Sequence, residues 1–217
     1  MSSEKQKKIV VLGGSFNPPT IAHMILMQSA LDALPADLGV FVPSSEAYVA
    51  RKMRRQKSEM IFSEERRLRL LKAMCTEDSR LAVSDCEYGD DGRGHSYDTM
   101  RKIQKEYPGS ELYFLIGSDK LHIITRWRSH DDFFRDFHFV VTARRGQTPE
   151  KIIRKNSILN AHADRFHIIP EPEGISGISS TLLREWLESG NPAAKNLVTP
   201  AVWAAMQEIY MEDGRSG

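Results

Sequence analysis

Short runs of apolar, largely β-branched residues recur along this chain, each followed by a stretch whose apolar residues return at helical spacing. That alternation restricts the fold more than any other feature, because strands and helices bury their faces with different periods. Ile9 to Leu12 reads as a buried strand bounded by Gly13 and Gly14. Ile21, Met24, Ile25, Gln28 and Leu31 then fall at helical spacing and predict a helix of roughly three turns. Val40 to Val42, Leu81 to Val83, Leu112 to Ile116, Phe137 to Thr142 and Phe166 to Ile169 read as five further strands. Helices are expected from Ser63, over Asp98 to Tyr107 before Pro108, from Pro149, over Thr181 to Ser189 before Gly190, and from Pro200 to Met211. Ser44 to Lys57 reads as a polar, basic segment. Strand and helix alternating in this way predict an α/β fold: a doubly wound parallel sheet with right-handed crossovers, followed by C-terminal helices.

With 217 residues, and with no repeat, low-complexity tract or linker, the chain is expected to form one domain over 1–217, its C-terminal helical part starting at about residue 178. Lys and Arg number 30 against 29 acidic residues, so no global charge points to nucleic acid or to a membrane surface. Any anion chemistry must come from locally placed cations and helix ends. The two cysteines, Cys75 and Cys86, form neither a disulfide framework nor a metal signature. The apolar run after the basic Met1 to Lys8 stretch ends at Gly13, too short for a signal peptide or a membrane span. A cytoplasmic protein is expected.

In open α/β sheets ligands bind at the carboxyl ends of the strands, so the end of the first strand is the place to look for chemistry. It reads Gly13-Gly14-Ser15-Phe16-Asn17-Pro18-Pro19-Thr20-Ile21-Ala22-His23. Paired glycines allow a tight turn and a close approach of the backbone to a ligand, and the following helix start offers N–H groups to a phosphate. His23 lies near that first turn. Asn17 and Pro18 stand where G-x-G-x-x-G would need its third glycine, and no P-loop sequence occurs anywhere. A second candidate is Ile178-Ser179-Ser180-Thr181-Leu182-Leu183-Arg184. Hydroxyls at a helix start, with a guanidinium one turn later, make either an anion cradle or a capped helix with an outward arginine. A third is Gly117-Ser118-Asp119 after the fourth strand, where a carboxylate can accept from ribose hydroxyls or cap a helix.

Together these segments resemble the nicotinamide/nicotinate mononucleotide adenylyltransferases of the nucleotidylyltransferase superfamily, over about Ile9 to Tyr210. The Gly13 to His23 loop is similar to the family's G-G-[ST]-F-[ND]-P loop and [HT]-x-G-H signature, and Ile178 to Arg184 to its I-S-S-T-x-x-R motif. Leu115 to Leu121 with Arg126-Trp127 resembles the central G-[AS]-D segment and its downstream tryptophan. His95 to Met100 resembles the S-Y-T segment of bacterial members, and Pro43 to Tyr48 the P-V-x-D-A-Y stretch of eukaryotic ones. The chain departs from the pattern where Thr20 replaces the histidine and Ala22 the glycine of many members. With no lysine at Val49 or Ala50, Arg51 or Lys52 is left to supply that charge.

The resemblance implies a Rossmann-like fold and an enzyme that joins ATP to nicotinamide or nicotinate mononucleotide, forming NAD or deamido-NAD plus pyrophosphate. It implies His23, Thr20 and Arg184 as catalytic, and Gly14, Ser15, Phe16, Gly117, Asp119, Ser180 and Thr181 as further ATP contacts. Ser15, Phe16, Tyr48, Lys52, Tyr97 and Trp127 are implied for the pyridine nucleotide; for Trp127 and Tyr97 core packing is the alternative. Mg²⁺ is expected to arrive on the ATP phosphates, with no protein ligand cluster. A homo-oligomer is compatible with such a chain, as is a nuclear location if the source is eukaryotic. The competing expectations are a sister enzyme, such as a pantetheine-phosphate adenylyltransferase or a cytidylyltransferase, and a non-catalytic nucleotide-binding module.

Overall fold

The computed structural model describes residues 6–56, 60–92, 94–144 and 146–214. In chain order the elements are β1 (Lys8–Gly14), α1 (Ile21–Ala33), β2 (Leu38–Pro43), α2 (Glu46–Gln56), α3 (Glu64–Cys75), β3 (Leu81–Val83), α4 (Ser96–Glu106) and β4 (Glu111–Gly117). They continue with α5 (His130–Asp136), β5 (His138–Thr142), α6 (Pro149–Lys155), α7 (Ser157–Ala161), β6 (Phe166–Ile169), α8 (Ser180–Glu188) and α9 (Pro200–Glu212), with short 3-10 turns between some of them. The strand order is β3-β2-β1-β4-β5-β6, the doubly wound order in which the chain starts at the centre and works outward twice. The ladders β1–β4, β4–β5 and β5–β6 are parallel, with Val10 opposite Tyr113, Phe114 opposite Phe139, and Val141 opposite Ile168. Ile9, Val10 and Val11 are wholly buried, as strands covered on both faces must be; hence their uninterrupted apolar runs.

The helix starts follow from short-range chemistry. Ser63 accepts from the Arg66 N–H at the head of α3, whose first turn carries Glu64 and Glu65. Pro149 opens α6, and Thr199 caps α9 ahead of Pro200. The expected helix over Asp98 to Tyr107 begins two residues earlier, at Ser96. The Ser44 to Lys57 segment is mostly helical rather than merely polar. α2 buries just Val49 and Met53 and leaves its other side chains at least partly exposed, so its apolar signal rests on two residues four apart. Lys57 lies outside the described residues.

Two compact units are distinguishable. One comprises residues 1–12, 27–40 and 94–172; the other comprises 13–26, 41–93 and 173–217. The core of the first is aromatic: Phe133 lies 4.8 Å from Phe139 and 5.3 Å from Phe114, and Phe139 stacks on Phe166 at 5.1 Å between ring centres. Each such ring contributes roughly 1.5–3 kcal/mol by leaving water. In the second, the buried face of α3 (Leu70, Leu71, Met74) and that of α9 (Val202, Met206, Ile209) supply the core. No helix of the described residues is long and apolar enough to cross a membrane.

Candidate active site

β1 delivers the chain to the Gly13–Thr20 loop and α1 takes it away. The loop is buried from Ser15 to Thr20, and its Asn17-Pro18 peptide is cis. Gly14 permits a close approach: a Cβ there would sit 3.2 Å from the Phe16 ring, which would have to give way slightly. Phe16 has a left-handed backbone (φ 42°), costly for an aromatic residue, and its ring meets His23 edge-on at 5.0 Å and Phe41 at 5.7 Å.

Four carbonyls of this loop are held by the protein. The Gly14 oxygen accepts from the Ser44 N–H at 2.8 Å. Arg67 Nη1 donates to the Ser15 oxygen at 3.0 Å, Arg184 Nη1 to the Asn17 oxygen at 2.7 Å, and Ser180 Oγ to the Pro18 oxygen at 2.7 Å. The Asn17 side chain fastens the loop to a second segment: it accepts from the Phe62 N–H at 2.7 Å and donates to the Met60 oxygen at 3.0 Å. With the negative ends of these peptide dipoles engaged by donors, the loop is preorganised for an anion rather than for a cation.

His23 is the third residue of α1. The Thr20 N–H donates to its Nδ1 at 3.0 Å, and Thr20 Oγ1 lies 2.8 Å from the same nitrogen. A backbone donor at Nδ1 makes that nitrogen the acceptor and assigns the proton of the neutral ring to Nε2, so the imidazole presents a donor without being a cation. Lys52 of α2 reaches the loop, its Nζ donating to Ser15 Oγ at 3.0 Å. Tyr48, one turn earlier, is exposed, and the Arg51 guanidinium lies over its ring at 5.9 Å. Arg51 also donates to the Gly92 carbonyl.

At the head of α8 the hydroxyls divide their work. Ser179 Oγ caps the helix, accepting from the Leu182 N–H at 3.1 Å. Ser180 binds the loop, and Thr181 Oγ1 lies 3.4 Å from Arg184 Nη2. Arg184 is 3% exposed, so the reading of an outward, solvated arginine does not hold. Burial pushes its pKa below the usual guanidinium range, against the pull of Glu188 and Glu185. Asn17 stands at the [ND] position of the loop motif, which gives no sign of this bracing role, and Arg67 stands in no motif. Arg67 is fully buried, with its pKa lowered by the same cause, against Tyr88 and the carboxylates of Glu64, Glu46 and Glu87. A helical pattern could have found it: Arg67 falls in step with Leu70, Leu71 and Met74 on the buried face of α3.

The remaining candidates belong to the other unit. Gly117 ends β4, and Asp119 follows in a 3-10 turn. Asp119 Oδ1 is buried and has no hydrogen-bond partner among the described residues, while Oδ2 is 2.9 Å from Lys120 Nζ. Burial pushes this carboxyl up, but Lys120 and Arg144 outweigh it and hold the pKa below 3.8. Ser118 Oγ accepts from the Arg144 N–H at 3.0 Å and donates to Gln147 at 2.6 Å, which ties the β4 and β5 ends together. Trp127 is half-buried, stacked on Phe133 at 6.5 Å. The Tyr97 hydroxyl donates to Asp136 at 2.9 Å, and its ring meets Phe133 and Phe137 edge-on. Gly14, Ser15, Phe16, Thr20, His23, Tyr48, Lys52, Ser180, Thr181 and Arg184 thus share one unit, and Tyr97, Gly117, Asp119 and Trp127 the other.

The family model for cytidylyltransferase-like proteins matches residues 11–186. A "Probable nicotinate-nucleotide adenylyltransferase" of Shouchella clausii is 30% identical over 202 residues, covering 93% of this chain and 95% of the relative. One of the same name from Maridesulfovibrio salexigens is 31% identical, with coverages of 93% and 95%. Among solved structures, the nicotinic acid mononucleotide adenylyltransferase of Plasmodium falciparum, complexed with NaAD, superposes with a TM-score of 0.71 at 20% identity, covering 96% of this chain and 98% of that one. The likeness in fold therefore extends well past the two motifs. By model match and by relatives alike, the chain belongs to the cytidylyltransferase-like family, among the nicotinamide/nicotinate mononucleotide adenylyltransferases.

Proposed function

We propose that this enzyme transfers the adenylyl group of ATP to the 5′-phosphate of nicotinate or nicotinamide mononucleotide, releasing pyrophosphate and forming deamido-NAD or NAD. The observation that carries the reading is the Gly13–His23 loop, with its Gly14, Ser15, Asn17 and Pro18 carbonyls held and His23 Nδ1 accepting from the Thr20 N–H, which leaves the ring proton to Nε2. The names of the relatives favour the nicotinate acceptor.

A phosphate monoester is already ionised at neutral pH, so the attack on the α-phosphorus needs no general base; the barrier is positioning and charge neutralisation. His23 Nε2–H would donate to the α-phosphate as charge accumulates, and Thr20 would keep that proton on Nε2. Lys52, Ser15 and Thr181 supply cation and hydroxyl contacts to phosphate, while Ser180 and Arg184 steady the loop and Arg184 adds positive charge beside the triphosphate. Asp119, whose Oδ1 accepts no hydrogen bond among the described residues and has only Arg144 Nε at 3.8 Å as an ion partner, is the ribose acceptor. Trp127 and Tyr97 are assigned to the pyridine ring, and Tyr48 to the mononucleotide. This donor set of hydroxyl, imidazole and ammonium groups fits phosphate oxygen. Mg²⁺ would accompany ATP, held by phosphate oxygens and water, and would neutralise the triphosphate. One catalytic domain, rather than two modules, accords with a family match that takes in residues of both units. A cytosolic site of action accords with Cys75 and Cys86, neither of which is in a disulfide.

Pyrophosphate release from MgATP with nicotinate and nicotinamide mononucleotides, measured side by side, tests the reaction and ranks the acceptors. Phosphopantetheine and CTP in the same panel test the sister activities. His23→Ala should lower turnover by ~10²-fold or more with the fold retained, the usual cost of a lost transition-state donor. Near-normal turnover in the folded variant would remove His23 from the mechanism.

A further inference from the structure

Arg67 is an expensive residue to bury, and nothing in the reaction as described uses it. Its guanidinium is fully enclosed, donates through Nε to the Phe62 oxygen at 3.2 Å and through Nη1 to the Ser15 oxygen at 3.0 Å, and leans on the Tyr88 ring at 5.5 Å. Its Nη2 is buried with no hydrogen-bond partner among the described residues. A buried cation with an unmet donor costs stability, and an apolar side chain on this face of α3 would avoid that cost. The two carbonyls it holds account for its presence.

The Ser15 carbonyl belongs to the peptide plane that feeds directly into Phe16. Rotation about the Phe16 N–Cα bond starts from that plane, so a fixed carbonyl fixes the frame in which the unusual φ of 42° is set. The Phe16 ring in turn lies against Gly14 and edge-on to His23 at 5.0 Å. The Phe62 carbonyl, Arg67's other acceptor, belongs to the segment that Asn17 also grips. Arg67 therefore holds both segments of one clamp. We propose that Arg67 is a positioning residue for adenylyl transfer: through the Ser15 carbonyl and the Phe16 ring it sets where the His23 imidazole stands. The planar fork matters as well as the charge, because one guanidinium reaches two carbonyls in fixed directions and a lysine ammonium does not reproduce that geometry.

This inference rests on the adenylyltransferase reading, and the test separates the two. Arg67→Lys and Arg67→Met are compared with the unaltered enzyme in the pyrophosphate-release assay, well below their melting temperatures. Arg69→Ala serves as the control from the exposed face of the same helix, where Arg69 pairs with Glu208 and Glu212. Arg67→Lys should fold and lose ~10-fold or more in kcat with KM for ATP changed less than ~3-fold, since a displaced donor is felt mainly in the transition state. Arg69→Ala should keep its kcat. In a His23→Ala background, Arg67→Lys should cost less than ~2-fold more, because residues acting through one group do not add. Losses that multiply in the double variant, or an unchanged kcat in Arg67→Lys, would overturn the proposal. If Arg67→Met does not fold, the lysine variant and the double variant still decide it. An unaltered enzyme that makes no pyrophosphate would instead refute the reaction assignment itself.

Discussion

A methyl group added at Gly117 would collide with Asp119 Oδ1 and with Arg144 Nε, while the backbone there (φ −80°, ψ 152°) accepts any residue. The cost of Gly117→Ala therefore falls on two side-chain ends. Arg144 is half exposed and can swing aside, so the variant should lose less than ~1 kcal/mol, a fall in Tm of under about 4 °C for a chain of this size. Asp119 cannot keep its place, and KM for ATP should rise by ~10-fold if that carboxylate receives a ribose, the cost of roughly one charge-assisted hydrogen bond. Unchanged KM with a displaced Asp119 would end that role. Residues of this kind differ in how well sequence exposes them. His23, Ser180 and Arg184 were legible because they sit in motifs. Arg67 was not: three arginines crowd the start of α3, two pair outward with Asp213 and with Glu208 and Glu212, and the partners of the third are carbonyls that no side-chain pattern reports.

The helix start at α8 poses the same question for an element. Its run of hydroxyls read as a plain cap or as an anion cradle, the cap being the simpler reading of those residues alone. The answer is shared out by position: Ser179 caps, and Ser180 reaches the loop. Ser179→Ala should cost about 1 kcal/mol of stability, read from urea unfolding, with kcat unchanged, whereas Ser180→Ala should lower kcat. Equal effects on kcat would show that the two hydroxyls are not distinguished as their bonds suggest. β1, β2, β4 and β5 were legible because buried strands are written as nearly unbroken apolar runs; β3 and β6, short and partly buried, show the same pattern more weakly. α2 was not, since a helix with two buried side chains leaves almost no periodic trace. α5, seven residues long, buries Phe133 and Phe134 side by side, a pair that reads as well in a strand as in a helix.

For the molecule as a whole, acid is the informative stress. His138 opens β5 and His167 lies in β6; their rings are 3.4 Å apart between Nε2 of the second and Nδ1 of the first. Glu111, Arg165 and the stacked Tyr113 surround His138. Burial lowers both imidazole pKa values below 6.5, and Glu111 opposes it only in part. The fold thus refuses protons that the unfolded chain accepts. Stability is full above the unfolded value and falls as pH drops below it. Asp119 and Asp136, both held below 3.8, extend the loss at still lower pH. Urea midpoints should fall between pH 7.5 and pH 5.5, and replacing both histidines by glutamine should flatten that slope. A midpoint that rises on acidification would contradict the assignment. The two donors from α8 that hold the loop are separated from their acceptors by 162 and 167 positions in the chain. On the ribosome, then, the loop is made long before the donors that fasten it. A nascent chain that has not yet exposed α8 lacks the fastenings at Asn17 and Pro18, so the loop cannot take its final form until α8 has been made.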